Sequence, residues 1–582
     1  MATMTKRTLG EILVEQDVIS PLELDEALQR QRLTGDFLGR VLVKMELCTE
    51  QDVLEALGVQ QGMERVDLPK LKIRDDVLRR VAADVARFYN IVPIRETPDG
   101  ALVVAVADPL NIGLLDTLEQ IIGCPVRGAV SNQRDVTQSI NSNYSYESSD
   151  LHGTLQDLVA RVGEKELSFD ELGQMAIVGD VDNLVALSQE PEVIKIVNLV
   201  LLEAVQKKAS DIHFEMYETD FRIRLRLDGL LHEIVAPPKS ISLALVSRVK
   251  VMCGMDIGER RLPQDARIEL KIGDSDIDVR VATLPTLFGE NCVMRILDRT
   301  SVNINLERLG LGDGVLKKVR TVIAKPNGIL LVTGHTGSGK TTTLYACLAE
   351  LNEITEKIIT TEDPVELQIE NLIQCQVRED IGLTFAACLR SILRQDPDIV
   401  MVGEIRDLET AQIAIEASLT GHFVLSTLHT NSAAETVTRL LDMDVEPFLI
   451  TSALEGVLAQ RLIRKVCRDC RQKYRPDPDE MDLLGVPAPW RKDPGFSVYR
   501  HKGCAACDFR GYKGRTGVYE MLMIDEVIKE MILGTAMAHE IRKHARKNQG
   551  MLTLREEALI KAVRGETTAS EVLEHTEFFD DF

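Results

Sequence analysis

The residues whose spacing carries chemistry begin at Gly334. The run Gly334-His335-Thr336-Gly337-Ser338-Gly339-Lys340-Thr341 follows the apolar stretch Gly328-Ile-Leu-Leu-Val-Thr333 and precedes Thr342-Thr-Leu-Tyr-Ala-Cys-Leu348. It reads as strand, glycine-rich loop and helix. Backbone N–H groups of such a loop and the positive end of the helix behind it cradle phosphate oxygens. Lys340 reaches the β- and γ-phosphates, and the Thr341 hydroxyl suits Mg²⁺. A nucleoside triphosphate is the ligand this pattern expects.

Carboxylates follow at the ends of apolar runs. The first set is Ile358-Ile-Thr-Thr-Glu362-Asp363-Pro364-Val-Glu366, and the second is Asp396-Pro-Asp398-Ile-Val-Met-Val-Gly403-Glu404-Ile-Arg406-Asp407. Open α/β sheets bind ligands at the carboxyl ends of their strands, so these acids are expected to face the same nucleotide as Lys340. One can hold Mg²⁺ and another can orient or deprotonate the attacking water. A third run, Phe423-Val-Leu-Ser-Thr-Leu-His429, is preceded by Gly421-His422. A histidine at such a strand end can sense a γ-phosphate, although His422 or His429 taken alone reads first as structural.

Cys467-x-x-Cys470 and Cys504-x-x-Cys507 offer four thiolates for tetrahedral Zn²⁺. With every position filled by sulfur, such a site is structural. The other seven cysteines of the eleven are scattered and read as small hydrophobes.

The elements that position these residues must be shared among several domains, because 582 residues exceed what one core organises. Residues 1–65 hold a degenerate duplication: Leu9-Gly10-x-x-Leu13-Val14 matches Leu38-Gly39-x-x-Leu42-Val43, and the offset carries on through Leu24/Val53, Leu28/Leu57 and Gln31/Gln60. Each copy reads as a short helix, a turn and an amphipathic helix. Residues 66–145 read as a small α/β domain with a helix over 75–88. Residues 146–187 read as a mobile linker. Residues 188–303 form a further α/β domain in which Phe221-Arg-Ile-Arg-Leu-Arg-Leu227 puts Arg222, Arg224 and Arg226 on one sheet face, with Arg280 and Arg295 on later strands. A salt-bridged surface and phosphate contact in trans are both open readings of this face. Residues 304–582 carry the phosphate loop, with the cysteine lobe over 464–515.

Bulk properties exclude some functions. The formal charge of −23 and the single Trp argue against nucleic acid as a partner. The N-terminal residues lack the apolar core of a signal peptide, and no apolar stretch is long enough to span a bilayer, so a cytoplasmic location is expected.

Taken together, these motifs resemble the secretion ATPase superfamily that powers type II secretion and type IV pilus assembly. GHTGSGKT looks like its Walker A motif, ITTEDPVE its aspartate box, LRQDPDIVMVGEIRDLET its Walker B and GHFVLSTLHTN its histidine box. The resemblance implies a multidomain α/β protein: a RecA-like P-loop core, a PAS-like arginine-bearing domain before it, smaller N-terminal domains and an inserted four-cysteine zinc module. It implies ATP held by Gly334 to Thr342, Mg²⁺ at Thr341 and Glu404, and Glu366 as general base with Glu362 as the alternative. It further implies His429 at the catalytic centre, Arg280 and Arg295 as arginine fingers, and Arg390 and Arg394 as nucleotide contacts ahead of Walker B. A homo-hexamer at the inner membrane is expected, working with a platform protein and a membrane adaptor.

The cysteine lobe is similar to that of extension-type enzymes, and Gly456-Val-Leu-Ala-Gln-Arg-Leu462 leans the reading toward type II secretion over pilus extension. Where the family has Gly in the Gln264-Asp265-Ala266-Arg267 turn, this chain has Ala266. The duplication resembles a module that binds cyclic di-GMP through motifs beginning Arg-Leu-Gly. Here Thr8 and Phe37 replace the arginines and Asp17 and Glu46 replace the mid-motif glycines, which disfavours that dianion even with Arg7 and Arg40 nearby. A reading of a different class is a nucleotide-sensing docking module with little turnover, and a DNA-translocating motor is disfavoured by the acidity.

Overall fold

A computed structural model describes residues 7–16, 18–34, 38–45, 47–107, 109, 112–144, 151–164, 187–272, 275–298 and 305–578. The chain divides into two compact units, Met1–Ser301 and Val302–Phe582.

In the first unit the duplication folds as helices Leu9–Glu15, Pro21–Thr34, Leu38–Lys44 and Glu50–Gln60. Its matched residues occupy matched contacts. A Cβ on Gly10 would lie 2.5 Å from Leu24, and one on Gly39 would lie 2.7 Å from Val53, so each glycine lets its partner helix approach closely. Thr8 caps the first helix in a reciprocal capping box with Glu11, and Arg7 pairs with Glu15 at 2.6 Å. Phe37, Asp17 and Glu46 lie outside the described residues.

A four-stranded sheet follows in the order Glu64–Arg65, Val126–Val130, Leu102–Val106, Ile91–Glu96. The helix expected over 75–88 is two short helices, Asp75–Leu78 and Ala83–Phe88, and the break between them lets Val77, Val81 and Val85 all turn inward. The expected linker also contains a helix, Leu151–Glu164. Its Leu155 and Val159, one turn apart, are buried in the same core as helix Pro191–Gln206. Residues 146–150 and 165–186 of that expected linker lie outside the described residues, and Leu187 is buried in the same core.

The unit ends in a six-stranded antiparallel sheet: Leu230–Val235, Phe221–Leu227, Asp211–Met216, Gly289–Asp298, Ser275–Thr286, Gln264–Ile272. Phe221–Leu227 alternates buried and half-buried residues as its period of two demands. Ala266 sits in regular strand, where no positive φ is required.

In the second unit seven strands run in the order Ile373–Gln376, Ile358–Glu362, Ile399–Val402, Phe423–Leu428, Gly328–Thr333, Leu454–Val466, Tyr512–Met523. The first six are mutually parallel and the last is antiparallel to its neighbour. Every residue of Gly328–Thr333, Ile358–Glu362, Ile399–Val402 and Phe423–Leu428 is buried, as expected for strands covered on both faces. The cysteine lobe is inserted between the two long final strands.

Candidate active site

The parallel strands all point one way, so their carboxyl ends gather the sequence motifs at one edge. At the end of Gly328–Thr333 the chain turns through Gly334 (φ +152°), where a Cβ would meet the Gln460 carbonyl oxygen and Ser338 Oγ, each at 2.5 Å. Backbone cannot yield there, so glycine is required. His335, Thr336 and Gly337 are exposed and Ser338 is buried, and helix Lys340–Leu351 begins at once after Gly339. Thr341 and Thr342 are exposed in its first turn. Lys340 is folded back on the loop, its Nζ donating to the carbonyls of Gly334 (2.8 Å) and His335 (3.2 Å). Burial lowers its pKa, Glu404 works against that shift and Arg461 adds to it.

Glu404 follows strand Ile399–Val402. Arg406 donates to its Oε1, and His429 Nε2 lies 3.0 Å from its Oε2. Burial pushes the Glu404 carboxyl up, but the bonds from Arg406 and His429 outweigh it and leave the pKa below the ordinary value. Arg406 also faces Asp363 at 3.6 Å. His422 sits at the opposite strand end, against the Ala417 carbonyl at 2.8 Å, and is structural.

Glu362 and Glu366 separate cleanly. Glu362 is 3% exposed; its Oε2 accepts from Tyr345, and its Oε1 from Thr360 at 2.6 Å and Gln374 at 3.0 Å. Both oxygens are hydrogen-bonded inside the protein, a setting that favours an anchoring role for Glu362. Glu366 is half-buried in the following loop, its N–H donating to the Tyr345 hydroxyl at 3.3 Å. Burial and Glu362 push the Tyr345 phenol up, keeping it a donor.

Arg390 and Arg394 bond to partners outside the phosphate loop. Arg390 pairs with Glu409 at 2.5 Å, and Arg394 donates to Ser391 at 3.3 Å ahead of the amino end of strand Ile399–Val402.

In the first unit Arg226, Asp211, Arg295, Arg280 and Arg267 stand in register across five strands, one row on one face. Arg295 Nε donates to Asp211 at 3.2 Å yet its side chain stays 61% exposed. Arg224 and Arg222 instead pair with Glu215 (2.6 Å) and Asp220 (3.1 Å), the salt-bridged arrangement.

The four cysteines converge. Sγ atoms of Cys467 and Cys504, Cys470 and Cys507, and Cys504 and Cys507 are 3.8, 3.9 and 3.8 Å apart. A tetrahedron with Zn–S bonds of about 2.3 Å has edges of about 3.8 Å, whereas a disulfide needs about 2.05 Å. Backbone N–H groups of Cys504 and Gly511 donate to Cys507 Sγ at 3.4 and 3.2 Å. The donor set and spacing therefore fit zinc.

Sequence reasoning passed over three residues that build this edge. Gln460, 1% exposed, donates to the Ser338 carbonyl at 2.7 Å and accepts from Thr343 at 2.7 Å, buttressing the loop from behind. Arg461 beside it donates to Asn431 at 2.7 Å. Tyr345 joins the loop helix to the acidic segment. The signal was available: Gln460 and Tyr345 are polar-tipped residues inside otherwise apolar runs, and buried polar groups need partners.

This fold and edge define a RecA-like phosphate-loop ATPase carrying a four-cysteine lobe. The chain belongs to the type II/IV secretion system protein family, whose model matches residues 186–574, and an MshEN domain model matches residues 61–150. It is 41% identical to the type IV pilus assembly ATPase PilB of Myxococcus xanthus, over 98% of each chain. It is also 41% identical to type II secretion system protein E of Xanthomonas campestris pv. campestris, over 97% of this chain and 98% of that one. The X-ray structure of the Legionella pneumophila ATPase DotB superposes with a TM-score of 0.48 at 24% identity, covering 64% of this chain and 93% of that chain.

Proposed function

We propose that the protein is a hexameric ATPase that works at the cytoplasmic face of an inner membrane and drives assembly of pilin-like subunits for type II secretion. The reading rests on one observation: Lys340, Glu404 and His429 stand together at the carboxyl edge of the parallel sheet in an ATPase of this family. Equal identity to the pilus enzyme over the full chain favours pilus extension as the second reading. Among the described residues no helix is long and apolar enough to cross a membrane, so membrane association would be through partners, a platform protein and an adaptor.

In this reading the loop N–H groups and Lys340 take the β- and γ-phosphates, Lys340 exchanging its carbonyl partners for phosphate oxygens. Thr341 and Glu404 would hold Mg²⁺, which supplies charge neutralisation on the β,γ-oxygens. Arg406 and His429 fix the Glu404 carboxylate. Glu366 takes the proton of the attacking water as its oxygen bonds to the γ-phosphorus, and ADP leaves with the bridging oxygen. Arg280 and Arg295 would complete the site from the arginine-bearing domain. The four-cysteine lobe would hold Zn²⁺. Cyclic di-GMP remains disfavoured at the duplication, since Thr8 is committed to its helix cap and Arg7 to Glu15.

Lys340→Ala is expected to abolish turnover with folding intact, and Glu366→Gln to bind ATP without cleaving it. Steady-state hydrolysis and nucleotide titration check both, and a wild-type rate in either variant rejects the assignment. In a host strain, loss of exoprotein release with pili retained would support type II secretion; the reverse outcome would support pilus extension.

A further inference from the structure

The loop that carries Glu366 is fastened from two sides by one hydrogen-bond network centred on buried Tyr345 and Glu362. Tyr345, 1% exposed on the helix that begins at Lys340, donates its hydroxyl proton to Glu362 Oε2. The Tyr345 hydroxyl oxygen in turn accepts the N–H groups of Glu366 and Leu367 at 3.3 and 3.4 Å. From the neighbouring strand, Gln374 Nε2 donates to Glu362 Oε1 at 3.0 Å and to the Leu367 carbonyl at 2.9 Å, while its Oε1 accepts the Ile369 N–H at 2.9 Å. Glu362 is thus the hub, and the segment from Glu366 to Ile369 hangs from Tyr345 at one end and Gln374 at the other.

We propose that Tyr345 is a positioning residue for hydrolysis, a strap through which the phosphate-binding helix sets the backbone of Glu366, with Glu362 as its anchor and Gln374 as its second attachment. The inference rests on Glu366 being the general base. The strap runs from the helix whose first turn receives phosphate, so any shift of that helix on nucleotide binding is passed to Glu366 through one hydroxyl. Tyr345 touches neither water nor nucleotide in this role, and its loss acts on the chemical step. Misplacing a reacting group by about 1 Å costs up to roughly 10²-fold in rate.

Full-length Tyr345→Phe and Gln374→Leu test it, each against wild type and in a Glu366→Gln background. Hydrolysis of Mg·ATP, ADP affinity and amide hydrogen exchange over residues 363–370 are measured. The expected result is a fall in kcat of roughly tenfold or more, with KM for ATP and ADP affinity within about twofold of wild type. Exchange at Glu366 and Leu367 should accelerate in Tyr345→Phe, and neither variant should lower further the residual rate of Glu366→Gln. Gln374 is half-buried on an edge strand, so its variant keeps the test open if Tyr345→Phe misfolds. Wild-type kcat in both variants, a loss that multiplies with that of Glu366→Gln, or a loss of ADP affinity matching the loss of kcat overturns the proposal. Full turnover in Glu366→Gln alone would instead remove the base assignment beneath it, and the exchange data would still report whether the strap exists.

Discussion

Lys340 and Glu404 both sit in partly dry surroundings: burial lowers the Lys340 pKa, whereas bonds from Arg406 and His429 outweigh burial at Glu404. Two buried acids show the opposite balance to Glu404, because for them burial prevails. Glu520 is fully buried on the last strand, accepts the Ala433 N–H at 2.8 Å, and burial raises its pKa to about 7; Glu557 is raised to about 7 by the same cause. A carboxyl raised above its unfolded value of 4.5 keeps its proton longer in the folded chain. Its stability contribution is complete below pH 4.5 and is lost as pH rises through about 7. We expect Glu520→Gln to flatten that loss: unfolding measured between about pH 5.5 and 7.5 should show a smaller fall in stability than wild type, by up to about 2 kcal/mol. An unchanged pH slope would show that Glu520 is ionised in the fold throughout.

Among the elements, the cysteine lobe shares its apolar core with the rest of its unit: Met481, Leu484 and Phe496 pack in one cluster with Leu554, Ala558 and Leu559. Its two short strands, Arg471–Tyr474 and Val498–His501, flank two short helices, Pro478–Leu483 and Ala488–Lys492. Zinc held by four thiolates contributes folding free energy outright, on the order of 10 kcal/mol in small zinc modules. Chelation should therefore release one zinc per chain, scored with a chromophoric chelator, and expose the lobe to proteolysis between Val466 and Tyr512. Removal of metal with no change in cleavage would show that the lobe folds without it. The helix Leu151–Glu164 carries a related lesson. Its Leu155 and Val159 were legible as an inward stripe, yet the polar, acidic sequence around them dominated a window-by-window reading.

At the scale of the molecule, the arginine row and the phosphate loop belong to different compact units. If nucleotide lies between them in a ring, a subunit lacking Arg295 and a subunit lacking Glu366 should each supply what the other lacks. Mixing Arg295→Ala with Glu366→Gln should recover hydrolysis absent from either alone, to roughly a quarter of the wild-type rate for random pairing across shared sites. No recovery at any ratio would place the arginine in its own subunit's site or outside the chemistry.

The sequence by itself determined the identity of the phosphate loop, the four thiolates, the acids after each strand and the alternating arginine face. These depend on short fixed spacings or on a backbone period, and both survive in one dimension. The tertiary structure is what gives the two acids at the end of strand Ile358–Glu362 and just after it different surroundings. Glu366 reads from the sequence as the base with Glu362, four positions before it, as the alternative; burial with three donors makes Glu362 a hub, while Glu366 is half-buried in the following loop. It also recruited Gln460 from a strand more than a hundred residues away to support Ser338, turned Arg390 toward Glu409, and used Tyr345 to join the loop helix to the acids. Those choices follow from which strands lie side by side, and strand order is set by packing across the whole sheet, beyond the reach of any local pattern.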